Sequence, residues 1–154
     1  MKHLKTLILI IMITLCAKCF ANTYTVLNTS NDGPGSLREA VSGSNSHFGA
    51  DTVVFNIPTT DPGYNIAYGT WTITLTTDLP YLIGGFTFID GSSQTAYQGN
   101  TNLNGPEIII TTGSSMNTAF IVASPNNHIR NIGITGFVYG VLFYSSNCTN
   151  NTIS

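Results

Sequence analysis

The chain has 154 residues, 42% of them hydrophobic and only 8% charged, with a formal net charge of −2. Length and apolar content fit one domain with a sizeable core. Five Lys and Arg residues against seven Asp and Glu leave no basic cluster of the kind that nucleic acid or an anionic membrane surface needs.

The first residues read as a leader and not as fold. Met1-Lys2-His3-Leu4-Lys5 is a short basic stretch, Leu7 to Leu15 is an apolar run, and Cys19-Phe20-Ala21 places small residues where signal peptidase reads them. This predicts a cleaved signal peptide over residues 1–21. The apolar run falls well short of the roughly 20 residues a bilayer needs, and Lys18 closes it, so the mature segment is expected to carry no transmembrane span. Cleavage removes Lys2, Lys5 and Lys18. Arg38 and Arg130 then face seven acids, for a net charge of −5. Cys16 and Cys19 leave with the leader, and Cys148, left alone, can form neither an internal disulfide nor a cysteine-based zinc site.

Thr23 to Leu27 alternates polar and apolar residues and predicts a first strand. Asn31-Asp32-Gly33-Pro34-Gly35 is a dense turn signal. Ser36 and Glu39 have the spacing of a capping box, and Leu37, Ala40 and Val41 share one helical face. A short helix is therefore expected, with Ser36, Leu37, Arg38 and Glu39 as a structural cap over the first strands. Asp51 to Ile57 is a β-branched run closed by Pro58, and Thr59 to Gly69 reads as a loop. In Trp71 to Thr76 the residues Trp71, Ile73 and Leu75 point one way and the threonines the other. Ser92 to Gly105 reads as a polar excursion with little to bury.

Apolar phrases stopped by glycine recur in the second half. Gly91, Gly113 and Gly136 follow one another at almost equal intervals, and Asn127-His128-Ile129 returns as Asn151-Thr152-Ile153 at nearly the same spacing. Repeats of about 20–25 residues built from short strands predict a solenoid in which each turn of chain buries its inner face against its neighbours. Asn at stacked corners supplies amide ladders, and stacked charges would repel, so a low charge fraction follows from such an architecture. The chain stops at Ser154 in mid-repeat, which reads as the N-terminal part of a longer protein.

The string Asn31 to Val41, with Asp51-Thr52-Val53-Val54-Phe55, Phe88-Ile89-Asp90-Gly91 and Asn104-Gly105-Pro106-Glu107-Ile108, resembles the start of secreted bacterial right-handed parallel β-helix proteins with an N-terminal CSLREA-type segment. Gly35 stands here in place of the Cys. Asn126 to Ile132 and Asn147 to Ser154 look like the repeats of the pectin-lyase-like superfamily. The resemblance implies an all-β, right-handed parallel β-helix with a short N-terminal capping helix, incomplete at its C-terminus: residues 1–21 a signal peptide, residues 22–154 the cap and first coils. It implies little about function, since that fold hosts lyases, hydrolases and adhesins alike.

Chemistry is sparse. A lyase of this kind needs a basic residue near clustered acids; the mature chain has no lysine, and Arg38 belongs to the cap. Arg130, at a strand start, is the candidate for carbohydrate contact. A hydrolase needs converging carboxylates, and Asp90 and Glu107 lie less than one repeat apart, so they do not stack. His47 and His128 lack metal-ligand spacing. No catalytic, metal or cofactor residue is assigned. The exposed tyrosines offer sugar-stacking faces, whereas Trp71 is expected to pack inward. The sequence thus predicts an exported, non-enzymatic scaffold, secreted or at the outer cell surface, serving adhesion or contact with extracellular polysaccharide or cell-surface glycan. The alternative is the first part of a polysaccharide lyase or glycoside hydrolase whose active coils lie beyond Ser154.

Overall fold

A computed structural model describes residues 21–47 and 49–154; the leader predicted over residues 1–21 lies, except for Ala21, outside the described residues. Eleven strands and two helices follow one another in this part of the chain. Strand β1 (Thr23–Val26) leads to helix α1 (Leu37–Asn45), then to β2 (Asp51–Phe55), β3 (Tyr64–Asn65), β4 (Thr70–Leu75) and β5 (Thr87–Asp90). Helix α2 (Ser92–Gln98) is followed by β6 (Ile108–Thr112), β7 (Thr118–Val122), β8 (His128–Arg130), β9 (Ile132–Ile134), β10 (Tyr139–Phe143) and β11 (Thr152–Ile153).

The strands form three sheets, in the orders β1-β2-β5-β8-β11, β3-β4-β6-β9 and β7-β10. Their pleat sorts side chains by parity. In the first sheet Tyr24, Val53, Ile89, Ile129 and Ile153 fall in one register column, and Val53, Ile89 and Ile129 are buried. In the second, Trp71, Ile108 and Ile132 align, as do Ile73, Ile110 and Ile134. These columns meet in one core with Phe55, Leu75, Leu82 and Phe120.

Helix α1 starts where its sequence says it should. Ser36 Oγ accepts from Glu39 N at 3.2 Å, and Glu39 Oε2 accepts from Gly35 N at 2.7 Å. The reciprocal bond reaches one position further back than an ideal capping box, because Ser36 N already donates to Gly33 O. Leu37, Ala40 and Val41 are buried. Among the described residues the cap residue Arg38 has no ion-pair partner. It donates to Asn31 O and Oδ1, to Thr77 O and to Asp78 O, and so ties the helix to two loops.

The class differs from the expectation. The chain is not an all-β, right-handed parallel β-helix solenoid with one capping helix. Its described residues are mixed: three separate open sheets, one of them of mixed direction because β3 and β4 run antiparallel, and two helices. Two physical reasons account for the difference. The first is unequal spacing. Within the first sheet Thr23 pairs with Thr52, Asp51 with Thr87, Phe88 with His128, and His128 with Thr152. The stretches of chain between these partners differ widely, so no single repeat length relates them. Gly91 follows a strand of the first sheet and Gly113 a strand of the second, so their spacing links positions that do not stack. The second reason is that residues 92–98, read as an outward polar excursion, form α2. Its buried members are polar: Gln94 Oε1 accepts from Ile57 N at 2.9 Å and Nε2 donates to Ile57 O at 2.8 Å. Ser93 Oγ accepts from Phe55 N at 2.7 Å.

Candidate functional site

The outer face of the five-stranded sheet gathers the one predicted contact residue with three others. Register sets Phe88 beside His128 and Asp90 beside Arg130. The close approach depends on Gly91, where a Cβ would lie 1.9 Å from Asn131 O; any side chain there would push the end of β5 away from β8. Arg130 Nε and Nη2 donate to Asp90 Oδ1 and Oδ2, each at 2.8 Å, the two-pronged geometry that a planar guanidinium and a carboxylate favour. Asp90 Oδ1 also accepts from Ser92 N at 3.0 Å and Ser92 Oγ at 2.6 Å. The Arg130 guanidinium carbon sits 4.8 Å from the Phe88 ring centre, and the Phe88 and His128 rings are 4.9 Å apart at 37°.

The bond from Arg130 holds the Asp90 carboxyl below its ordinary range, with help from Ser92 and against partial burial. The same bond, with Asp90 as the partner, raises Arg130. The pair is therefore closed and locally neutral, and Arg130 is not the free cation that capture of an acidic sugar would want. What the face offers is two stacked rings beside a fixed array of donors and acceptors, which suits hydroxyl-rich ligands better than charged ones.

The other candidates are dispersed. Glu107 is buried and accepts from Thr95 Oγ1 at 2.7 Å, while Asp90 takes Arg130 and Ser92, so the two carboxylates serve separate structural partners. His47 Nδ1 lies 2.8 Å from Tyr24 Oη. Burial and the charge of Asp51 raise the Tyr24 hydroxyl above its ordinary value. The Cys148 thiol donates to Val122 O at 3.0 Å, and its hydrogen bond with Ser145 lowers its pKa. Trp71 is fully buried, its Nε1 donating to Pro58 O at 3.0 Å. Among the described residues no three His, Cys, Asp or Glu side chains gather as metal ligands, and no helix is long and apolar enough to cross a membrane.

Sequence reasoning singled out Arg130 but missed Asp90 as its partner and Phe88 and His128 as its neighbours. The available signal was alternation: Phe88 and Asp90 flank buried Ile89, as His128 and Arg130 flank Ile129, so both pairs face outward. Only the long-range register of β5 with β8 makes them adjacent. No protein-family model matches the chain, and neither a curated protein nor a solved structure matches it.

Proposed function

We propose that this chain is an exported, non-enzymatic scaffold that contacts carbohydrate through the outer face of its five-stranded sheet, as part of a secreted or cell-surface protein serving adhesion. The observation that carries the reading is the Phe88–His128 ring pair set beside the Asp90–Arg130 pair on one outward face. Ring faces take the C–H side of a pyranose, and the polar pair takes hydroxyls. The leader-like residues 1–21 support export, and the resemblance to secreted CSLREA-type proteins points the same way.

Affinity electrophoresis of the secreted protein through gels holding xylan, mannan or polygalacturonate tests it. Retardation by at least one polysaccharide, reduced in Phe88→Ala and in Arg130→Ala with Trp71 fluorescence unchanged, is expected. Retardation that ignores both substitutions, or ultraviolet absorbance from an unsaturated product on incubation with polygalacturonate and Ca²⁺, would overturn the proposal.

A further inference from the structure

A second feature lies on the four-stranded sheet, away from Arg130. The loop of residues 58–69 and the segment of residues 99–106 wall a cavity of about 530 Å³, within the size range of small-ligand sites. The walls are tied together. Thr101 Oγ1 donates to Gly69 O at 2.7 Å. Gly69 has φ +65°, and a Cβ there would meet Thr101 O at 1.9 Å, so the close approach requires glycine. Each wall is also braced internally: Asn65 Oδ1 accepts from Ala67 N at 3.0 Å, and Asn102 Nδ2 donates to Pro106 O at 2.9 Å. The base of the first wall is held by Trp71 through Pro58 and by the Tyr64 ring, 4.5 Å from the indole. The groove is thus formed before any ligand arrives.

Its rim is unusual. Ile66, Leu103 and Tyr68 are 86%, 85% and 72% exposed. One such residue is ordinary on a protein surface; here three line one cavity, the kind of grouping from which contact sites are built. The lining contains no Asp, Glu, Lys, Arg or His, so nothing in it recognises a charged ligand. Nor is it purely apolar, since Thr70, Thr101, Asn102 and Asn104 lie between the apolar side chains. An aromatic face flanked by aliphatic groups, hydroxyls and amides, without charge, matches the surface of an uncharged sugar ring: C–H groups on its faces and hydroxyls around its edge.

We propose that this groove binds a neutral glycan chain, with Tyr68 stacking on a pyranose ring and Asn104 and Thr101 meeting its hydroxyls. The site shares no residue with the Phe88–Arg130 face and stands whether or not that face binds. Calorimetric titration of the full chain with cellohexaose, xylohexaose and mannohexaose tests it, with hexagalacturonate as the charged counterpart. At least one neutral hexasaccharide should bind in preference to hexagalacturonate. Tyr68→Ala should weaken that binding roughly 3- to 10-fold, the size of an aromatic stacking contribution, and Tyr68→Phe should keep most of it. Tyr68 is largely exposed, so the substitution leaves the core alone, and Trp71 fluorescence verifies the fold. Arg130→Ala should leave the groove's affinity unchanged. Failure of all three neutral sugars, preference for hexagalacturonate, or equal binding by Tyr68→Ala sinks the groove. So does seating of an extended peptide in their place. Binding that falls with Phe88→Ala or Arg130→Ala but not with Tyr68→Ala sinks the groove alone; the opposite pattern sinks the sheet face alone.

Discussion

Gln94→Ala tests whether a polar side chain does the work of a strand in this fold. Just past β2 the chain leaves its sheet, and Ile57, fully buried, has no strand partner for its N–H and C=O. Gln94 supplies both, at 2.9 and 2.8 Å, and is itself fully buried. Removing it strands a donor and an acceptor away from water, at about 1–3 kcal/mol for each group left unpaired. One of the two is expected to recover a partner from water entering the space the side chain leaves. The expected loss is therefore about 2 kcal/mol, in the upper half of the usual range for single substitutions. For a chain of this size that corresponds to a fall in Tm of roughly 6 °C. Trp71 is the single tryptophan and is buried, so its fluorescence during urea unfolding reports the transition. A second variant, Gln94→Glu, keeps an acceptor for Ile57 N but loses the donor to Ile57 O and should also destabilise. A loss below about 1 kcal/mol for Gln94→Ala, under the cost of one unpaired buried group, would refute the reasoning.

Thr87→Asn should stabilise the protein by about 1 kcal/mol, the net value of one added hydrogen bond. Asp51 Oδ2 and Thr87 Oγ1 are buried without partners and are register neighbours, so an amide at position 87 brings a donor to the carboxylate; urea unfolding checks it, and destabilisation would mean the site has no room. The Asp90–Arg130 pair should contribute stability that depends on pH in one direction. Because the folded carboxyl lies below its ordinary value of 3.8, the contribution is complete well above that value and disappears as pH falls through the lower folded value. Thermal melts of the native chain and Arg130→Ala should therefore differ at about pH 6 and draw together as pH falls below 3.8, with added salt shrinking the difference at the higher pH; a gap that widens in acid would contradict the pairing.

What could be read from the sequence was local. The start of α1 was legible because Ser36 and Glu39 satisfy backbone groups within one turn, and the inward face of β4 because Trp71, Ile73 and Leu75 alternate with threonine. Helix α2 was not legible, since Ser92–Gln98 has no apolar stripe and is kept in place by polar atoms that reach back to Phe55 and Ile57, on the far side of β3, β4 and β5 in the chain. Periodicity misled in part, for a related reason: the Asn127 and Asn151 phrases do pair, but Gly91 and Gly113 follow strands of different sheets. It assumes that equal spacing along the chain means stacking, whereas the sheets accept unequal loops between paired strands. Asp90 shows the consequence for function. Tested against Glu107, the other acid of the repeat region, it had no partner. Against Arg130, beyond the reach of any local pattern, it has a two-pronged one.

The polar column at the start of the first sheet's strands carries the argument further. Asn22 N donates to Asp51 Oδ1, Thr87 N to Asn127 Oδ1, and Asn127 N to Asn151 Oδ1. Each strand's first free N–H is thus met by the side chain of the next. Between Asp51 and Thr87 the pattern lapses: Asp51 N makes its ordinary ladder bond to Phe86 O, the Thr87 hydroxyl finds no partner, and Phe86 has φ +54°. Positive φ is costly for an aromatic residue. The left-handed corner recurs at Asn126 and Asn150, where the column is intact, so it belongs to the turn; the unpaired atoms of Asp51 and Thr87 belong to the threonine, too short to reach across where a longer amide would complete the column. A chain this poor in charge relies on such amide contacts for strand alignment, so a single lapse in the column shows in unpaired buried atoms.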